Sequence, residues 1–163
     1  MLALEHYLLD MNILSLLTPE EVNKAGGLSS VVVCGMFEGE ETKPEFFREN
    51  KVFVDFMHSI IETKGKELPS LNEVAKRQKN GYLYIIDFRT PEGIMGNVPP
   101  EDIIGAFKVE NGEIVPNSYQ RIIAHKIFTK NGLVKLPPGL NELFLEELRK
   151  INISNIALPD IGA

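Results

Sequence analysis

The sequence predicts an α+β fold: a helix-rich N-terminal half packed on a mostly antiparallel sheet formed by the central and C-terminal strands. Apolar residues recur at helical spacing through the first half, and β-branched and aromatic runs of strand length dominate the second. Asn111-Gly112 and Lys130-Asn131-Gly132 stand between such runs as tight hairpin turns.

Leu4, Leu8, Leu9, Ile13, Leu16 and Leu17 define an opening amphipathic helix that ends near Leu17. Thr18-Pro19-Glu20-Glu21 combines a capping hydroxyl, a proline at the first helical position and a glutamate three residues on, so a short second helix starts there and stops at Gly26-Gly27. Ser30 to Met36 is an unbroken β-branched run and reads as a central strand, followed by an acidic loop from Glu38 to Glu41. Val52, Phe53, Phe56, Met57, Ile60 and Ile61 then mark a helix that Gly65 ends.

Ser70-Leu71-Asn72-Glu73 has the pattern of a second capping box, opening a helix that Asn80-Gly81 closes with a left-handed residue. Tyr82 to Phe88 is the next central strand and stops at the Thr90-Pro91 turn. Pro99-Pro100-Glu101-Asp102 forms a helical turn before the strand Ile103 to Val109, which pairs through Asn111-Gly112 with Glu113 to Val115. Ile122 to Thr129 is expected to pair with Leu133 to Leu136, and a final helix to run from Leu140 to Ile151 before an extended apolar tail. No internal repeat or linker interrupts the chain, so residues 1–163 read as a single domain, long enough to bury roughly 70% of its unfolded surface.

Seventeen basic residues against 23 acidic ones give a formal charge of -6, which opposes binding to phosphate backbones. The basic groups Lys76, Arg77, Lys79 and Lys126, Lys130, Lys135 are sparse and not interleaved with aromatics, so the sequence predicts no nucleic-acid partner. The one cysteine, Cys34, lies in an apolar run and reads as a small buried hydrophobe. The first residues lack a basic n-region, and no apolar run approaches the length of about 18 residues that a membrane span needs. The expectation is a cytoplasmic protein that does not enter membranes.

No Walker loop, GxGxxG turn, GxSxG elbow or HExxH helix is present, and His6, His58 and His125 lie on separate elements without metal-ligand spacing, so no metal site is expected. His58, one residue off its apolar stripe, reads as a boundary histidine bonded to backbone or water. His125 falls inside a predicted strand near Tyr119 and Gln120, where it would serve as an acid or base or make a structural hydrogen bond. Asp87 and Arg89 alternate at the end of the strand from Tyr82, with Glu92 just after the turn. These three groups would either hold a ligand or form a salt-bridged strand terminus. Tyr82, Tyr84 and Tyr119 offer ring area and hydroxyl direction for a small molecule, against ordinary core and rim roles.

Gly81-Tyr82-Leu83-Tyr84-Ile85-Ile86-Asp87, Val98-Pro99-Pro100-Glu101-Asp102-Ile103-Ile104-Gly105 and Val109 to Tyr119 resemble the later part of bacterial ADP-ribosyltransferase toxins of the pertussis and cholera type. The resemblance spans residues 81–119 and implies NAD as cofactor, with a glutamate polarising the ribose; Glu92 falls near the place of that glutamate. The sequence departs from the family in having no arginine on the early strand Val31 to Met36 and no Ser-Thr-Ser strand. The layout of a strand ending in Gly35-Met36, a Phe-rich helix and Tyr84-Ile85-Ile86-Asp87 is also similar to that of small bacterial proteins without an assigned role.

Two main functional readings result, beside a small-molecule binding domain that Tyr82, Tyr84 and Tyr119 would line. The first is a binding or interaction protein that uses no cofactor and engages a protein partner, such as a toxin or regulator, through an acidic surface that includes Glu38 to Glu41. The alternative is a divergent ADP-ribosyltransferase-like, NAD-using enzyme with Glu92, Arg89 and His125 as catalytic residues and Tyr82, Tyr84 and Tyr119 lining the cofactor site.

Overall fold

The computed structural model describes residues 8–10, 12–89 and 98–157. The chain divides into two compact units, one of residues 1–57, 127–132 and 143–163 and the other of residues 58–126 and 133–142. Among the described residues the helices are α1 (Pro19–Ala25), α2 (Lys51–Lys64), α3 (Pro69–Gln78) and α4 (Leu140–Ala157), and the sheets are antiparallel, so the α+β class holds. No described helix is long and apolar enough to cross a membrane.

The first unit contains a four-stranded sheet in the order β1 (Leu8–Asp10), β2 (Ile13–Ser15), β3 (Val33–Phe37), β4 (Phe47–Glu49). Strands therefore occupy the N-terminal part as well. Over the described residues the expected opening helix is a β-hairpin, with Leu8 opposite Leu14 and Asp10 opposite Ile13. The Thr18 capping box forms as read: Glu21 N–H donates to Thr18 Oγ1 at 3.2 Å, and Thr18 N–H to Glu21 Oε1 at 3.1 Å. Burial alone would raise the Glu21 carboxyl, but the Thr18 N–H and the Arg149 guanidinium outweigh it and hold the group below the ordinary glutamate range.

β3 is central, as expected, but begins at Val33, because Ser29 caps a 3-10 turn over Ser30–Val32. Asn50 ties this turn to the start of α2: its side-chain amide donates to Ser30 O and Val33 O, each at 2.8 Å, and its Oδ1 accepts from Val52 N–H. Phe37 makes edge contacts with Phe47 and Phe128 at centroid distances of 5.2 and 5.4 Å, and Phe53 lies 5.8 Å from Phe144. Cys34 is fully buried and its thiol is pushed well up by desolvation, as a hydrophobic filler should be. α4 extends to Ala157, past the expected end at Ile151. Its buried Asn152 accepts from Ser29 N–H at 2.6 Å and donates to Gly27 O at 3.1 Å, so the helix continues where a tail was expected; residues 158–163 lie outside the described residues.

In the second unit β6 (Ile103–Glu110) is the spine. It pairs on one side with β5 (Gly81–Ile86) and on the other with β7 (Glu113–Ile114) and β8 (Gln120–Arg121). Alternation puts Leu83, Ile85 and Phe107 in the core and leaves Tyr82, Tyr84 and Lys108 outside. Asn111 and Gly112 both have positive φ, 52° and 80°, as the tight hairpin requires. α3 starts with Pro69 at its first position and no side-chain cap, so the expected Ser70 capping box does not form. Its C-cap is Lys79, with a positive φ of 72°, one residue before the expected Asn80-Gly81. The expected long hairpin after Ile122 is reduced to β9 (Phe128–Thr129), whose residues belong to the first unit, and β10 (Gly132–Leu133).

At Gly35 there is no room for a side chain between β3 and β4: a Cβ there would collide with the Arg48 carbonyl oxygen and the Phe47 ring. Gly35→Ala is expected to cost about 3 kcal/mol, the upper end of ordinary overpacking. Urea unfolding would report it as a lower midpoint at unchanged slope.

Candidate functional site

The end of β5 and the start of β6 bring together the polar groups that stand out in the sequence. Asp87 N–H donates to Asp102 O at 2.7 Å, continuing the ladder past Ile86 and placing the two aspartates side by side. The 3-10 turn Pro100–Asp102, anticipated from its prolines, delivers Asp102 to this point. The chain turns at Phe88 and Arg89, and the Arg89 side chain folds back between the carboxylates. Its Nε donates to Asp102 Oδ1 at 2.9 Å and lies 3.4 Å from Asp87 Oδ2. One of its terminal nitrogens donates to Glu101 O at 3.1 Å and Lys126 O at 2.6 Å.

Asp87 is equally occupied. Its Oδ1 accepts from the N–H groups of Arg89 and Lys135 at 3.1 and 3.0 Å, and its Oδ2 lies 3.0 Å from His125 Nε2. Both aspartates are fully buried, and the Arg89 and His125 side chains are each 3% exposed. Among the described residues no buried side-chain nitrogen or oxygen lacks a partner. Such a cluster is closed. Its donors and acceptors are spent on one another and on backbone, and the His125 nitrogen that faces the carboxylate points inward.

What the cluster does is fix backbone. Arg89 holds the carbonyls of Glu101 and Lys126, Asp87 holds the Lys135 N–H, and His125 anchors the turn that carries it. His125 is in this turn rather than in a strand, as the sequence reading had it: β8 ends at Arg121, and His125 N–H donates to Ile122 O at 3.0 Å. Ile122 N–H is bonded to Ile104 O and Lys126 N–H to Glu101 O, so both ends of the turn are tied down. At its tip Ile123 is 99% exposed. Similarly, Lys135 pairs through its backbone with Asp87 and with Phe88, whose N–H donates to its carbonyl at 2.8 Å, and so replaces the predicted pairing with the segment from Ile122.

The remaining candidates lie elsewhere. Glu92 is outside the described residues. Tyr82 and Tyr84 sit side by side on the outer face of β5, about half exposed, with ring centroids 6.4 Å apart. Tyr119 does not join them: it packs against Gly105, where a Cβ would collide with its ring, with its centroid 5.0 Å from that of Phe107. Its hydroxyl lies 2.6 Å from His58 Nδ1, so His58, read from the sequence as a boundary histidine, is buried and partnered by a side chain. Burial, with a smaller push from Glu62 and opposed by Arg121, raises the Tyr119 hydroxyl well above the ordinary tyrosine range. It therefore stays protonated at neutral pH. Among the described residues no set of histidine, cysteine and carboxylate groups is arranged to hold a metal ion. The residue that sequence reasoning missed is Asp102; the available signal was a carboxylate set directly against the apolar strand Ile103 to Val109.

Removing the cation should be far worse than neutralising one anion. Arg89→Met leaves two buried carboxylates without their guanidinium and is expected to cost about 3–5 kcal/mol. Asp102→Asn keeps an oxygen to accept from Arg89 Nε and should cost less than half of that, both read from denaturant midpoints. No family model, curated protein or solved structure matches this chain.

Proposed function

We propose that this chain is a cytoplasmic binding protein that engages a protein partner through the turn at 121–126, with Ile123 as its apolar anchor. The observation that carries the reading is the full exposure of a β-branched side chain at the tip of a turn pinned from beneath by buried charge. A single exposed apolar residue is ordinary on a protein surface. Here it sits on backbone already ordered by His125, Lys126 and Ile122, so little conformational entropy remains to be lost on docking. Arg121 and Lys126 flank the tip, so the matching surface is an apolar pocket rimmed by carboxylates.

The acidic loop from Glu38 to Glu41 supports a contact less well. Glu38 is engaged by Arg48 at 2.9 Å and Glu41 by Lys43 at 3.5 Å, which neutralises much of its charge locally. The ADP-ribosyltransferase-like alternative draws on Arg89 and His125, and the internal bonds of both favour the binding reading. A lone buried thiol suits the reducing conditions of the cytoplasm.

Ile123→Asp should leave the melting temperature within about 1–2 °C of the parent, as for a surface change worth less than 0.5 kcal/mol. A photo-crosslinking residue at position 123 should give a discrete adduct in the source cell, and Ile123→Asp bait should lose the same partner. Identical capture by the parent and by Ile123→Asp would overturn the proposal.

A further inference from the structure

A second surface feature is independent of that turn. α3 and the β6–β7 hairpin enclose a groove of about 640 Å³, within the range of small-molecule sites. One wall carries Lys66, Asn72 and Lys76, the last two one helical turn apart; the other carries Asn111, Glu113 and Ile114. The groove is preformed. Gly112 N–H donates to Lys79 O at 2.8 Å and Asn111 N–H to Asn80 Oδ1 at 3.2 Å, which clamps the hairpin to the end of α3. Gly112 itself packs close to the Lys76 backbone.

We propose that this groove binds a small phosphate monoester carried on a hydroxylated carbon skeleton. Some lysines of this acidic chain, Lys43, Lys108 and Lys150, pair with nearby carboxylates. Among the described residues Lys66 and Lys76 have no such partner, although Glu113 lines the same groove. Two ammonium groups in one concavity, neither of them in an ion pair, match a phosphate of charge about -1.5 to -2. The amide of Asn111 and the carboxylate of Glu113 then suit hydroxyl groups, and Ile114 offers an apolar wall to the skeleton. With only two cations and a carboxylate beside them, the groove does not suit a polyphosphate or a nucleic-acid backbone.

The test is an amide NMR titration of the full chain with glucose 6-phosphate, with glucose, inorganic phosphate and sulfate as separate arms at one ionic strength. The expected result is saturable shifts at Lys66, Lys76, Asn111 and Gly112 with glucose 6-phosphate, weaker ones with inorganic phosphate and none with glucose. Lys66→Ala/Lys76→Ala, changed at exposed positions, should weaken binding by about tenfold or more. Glu113→Gln should weaken binding of the sugar phosphate and not of inorganic phosphate. Absence of saturation, equal shifts from sulfate and glucose 6-phosphate, or unaltered binding by the double variant would each overturn the proposal.

Discussion

Moving a guanidinium and two carboxylates out of water costs several kcal/mol per ion, and their mutual attraction offsets this only when the remaining donors and acceptors are also satisfied. Arg89, Asp87 and Asp102 meet that condition by recruiting backbone from four stretches of the second unit: the end of β5, the turn before β6, the turn after β8 and the segment at Lys135. The stretch after β8 has little regular pairing of its own. β8 has two residues, and the chain from Ile122 to Ile127 has no ladder of its own. Buried charge thus supplies the order that sheet pairing supplies elsewhere, and that order lets the turn hold Ile123 in solvent.

The first unit solves a similar difficulty with aromatic packing and caps. The strands of its four-stranded sheet are three to five residues long, too short to be stable as isolated pairs. Gly35 lets Phe47 lie against β3, Phe37 and Phe128 complete the cluster, and Asn50 joins the 3-10 turn before β3 to the first turn of α2. Short strands survive because side chains and caps fix their ends. Asn152 does the same for the loop Gly27–Ser29, satisfying one donor and one acceptor from a single buried amide.

Elements governed by local chemistry were legible in the sequence. α1 follows from Thr18, Pro19 and Glu21, the β6–β7 turn from Asn111-Gly112, and the inner face of α2 from Phe53, Met57, Ile60 and Ile61. The misreadings share a physical cause. Leu8, Ile13 and Leu17 fit a helical period, but three-residue strands are too short to display alternation, and pairing with β3 decides their conformation. Ser70 and Glu73 have capping-box spacing, yet Pro69 fixes the helix start one residue earlier and leaves Ser70 inside the first turn. Ile122 to Thr129 has strand composition, but His125 finds its partner Asp87 38 residues away, and no local rule contains that contact.

The same distance explains why the site was legible only in part. Asp87 and Arg89 announce themselves as charges at a strand end, and the sequence left open whether they face a ligand or one another. That choice depends on Asp102, which reaches them through the Ile86 to Ile103 register, and on the backbone of Lys126 and Lys135. An aspartate and a histidine 3.0 Å apart have the spacing of a general-base pair, but catalysis also needs a face open to substrate. Here the pair is enclosed and the guanidinium takes the space beside it. A hydrophobic cluster of equal volume would often match or exceed the stability of such a buried ionic group. What it would not supply is direction: charge-assisted hydrogen bonds specify which carbonyl and which N–H must meet, and in this unit that specification sets the path of a turn that packing alone would leave undetermined.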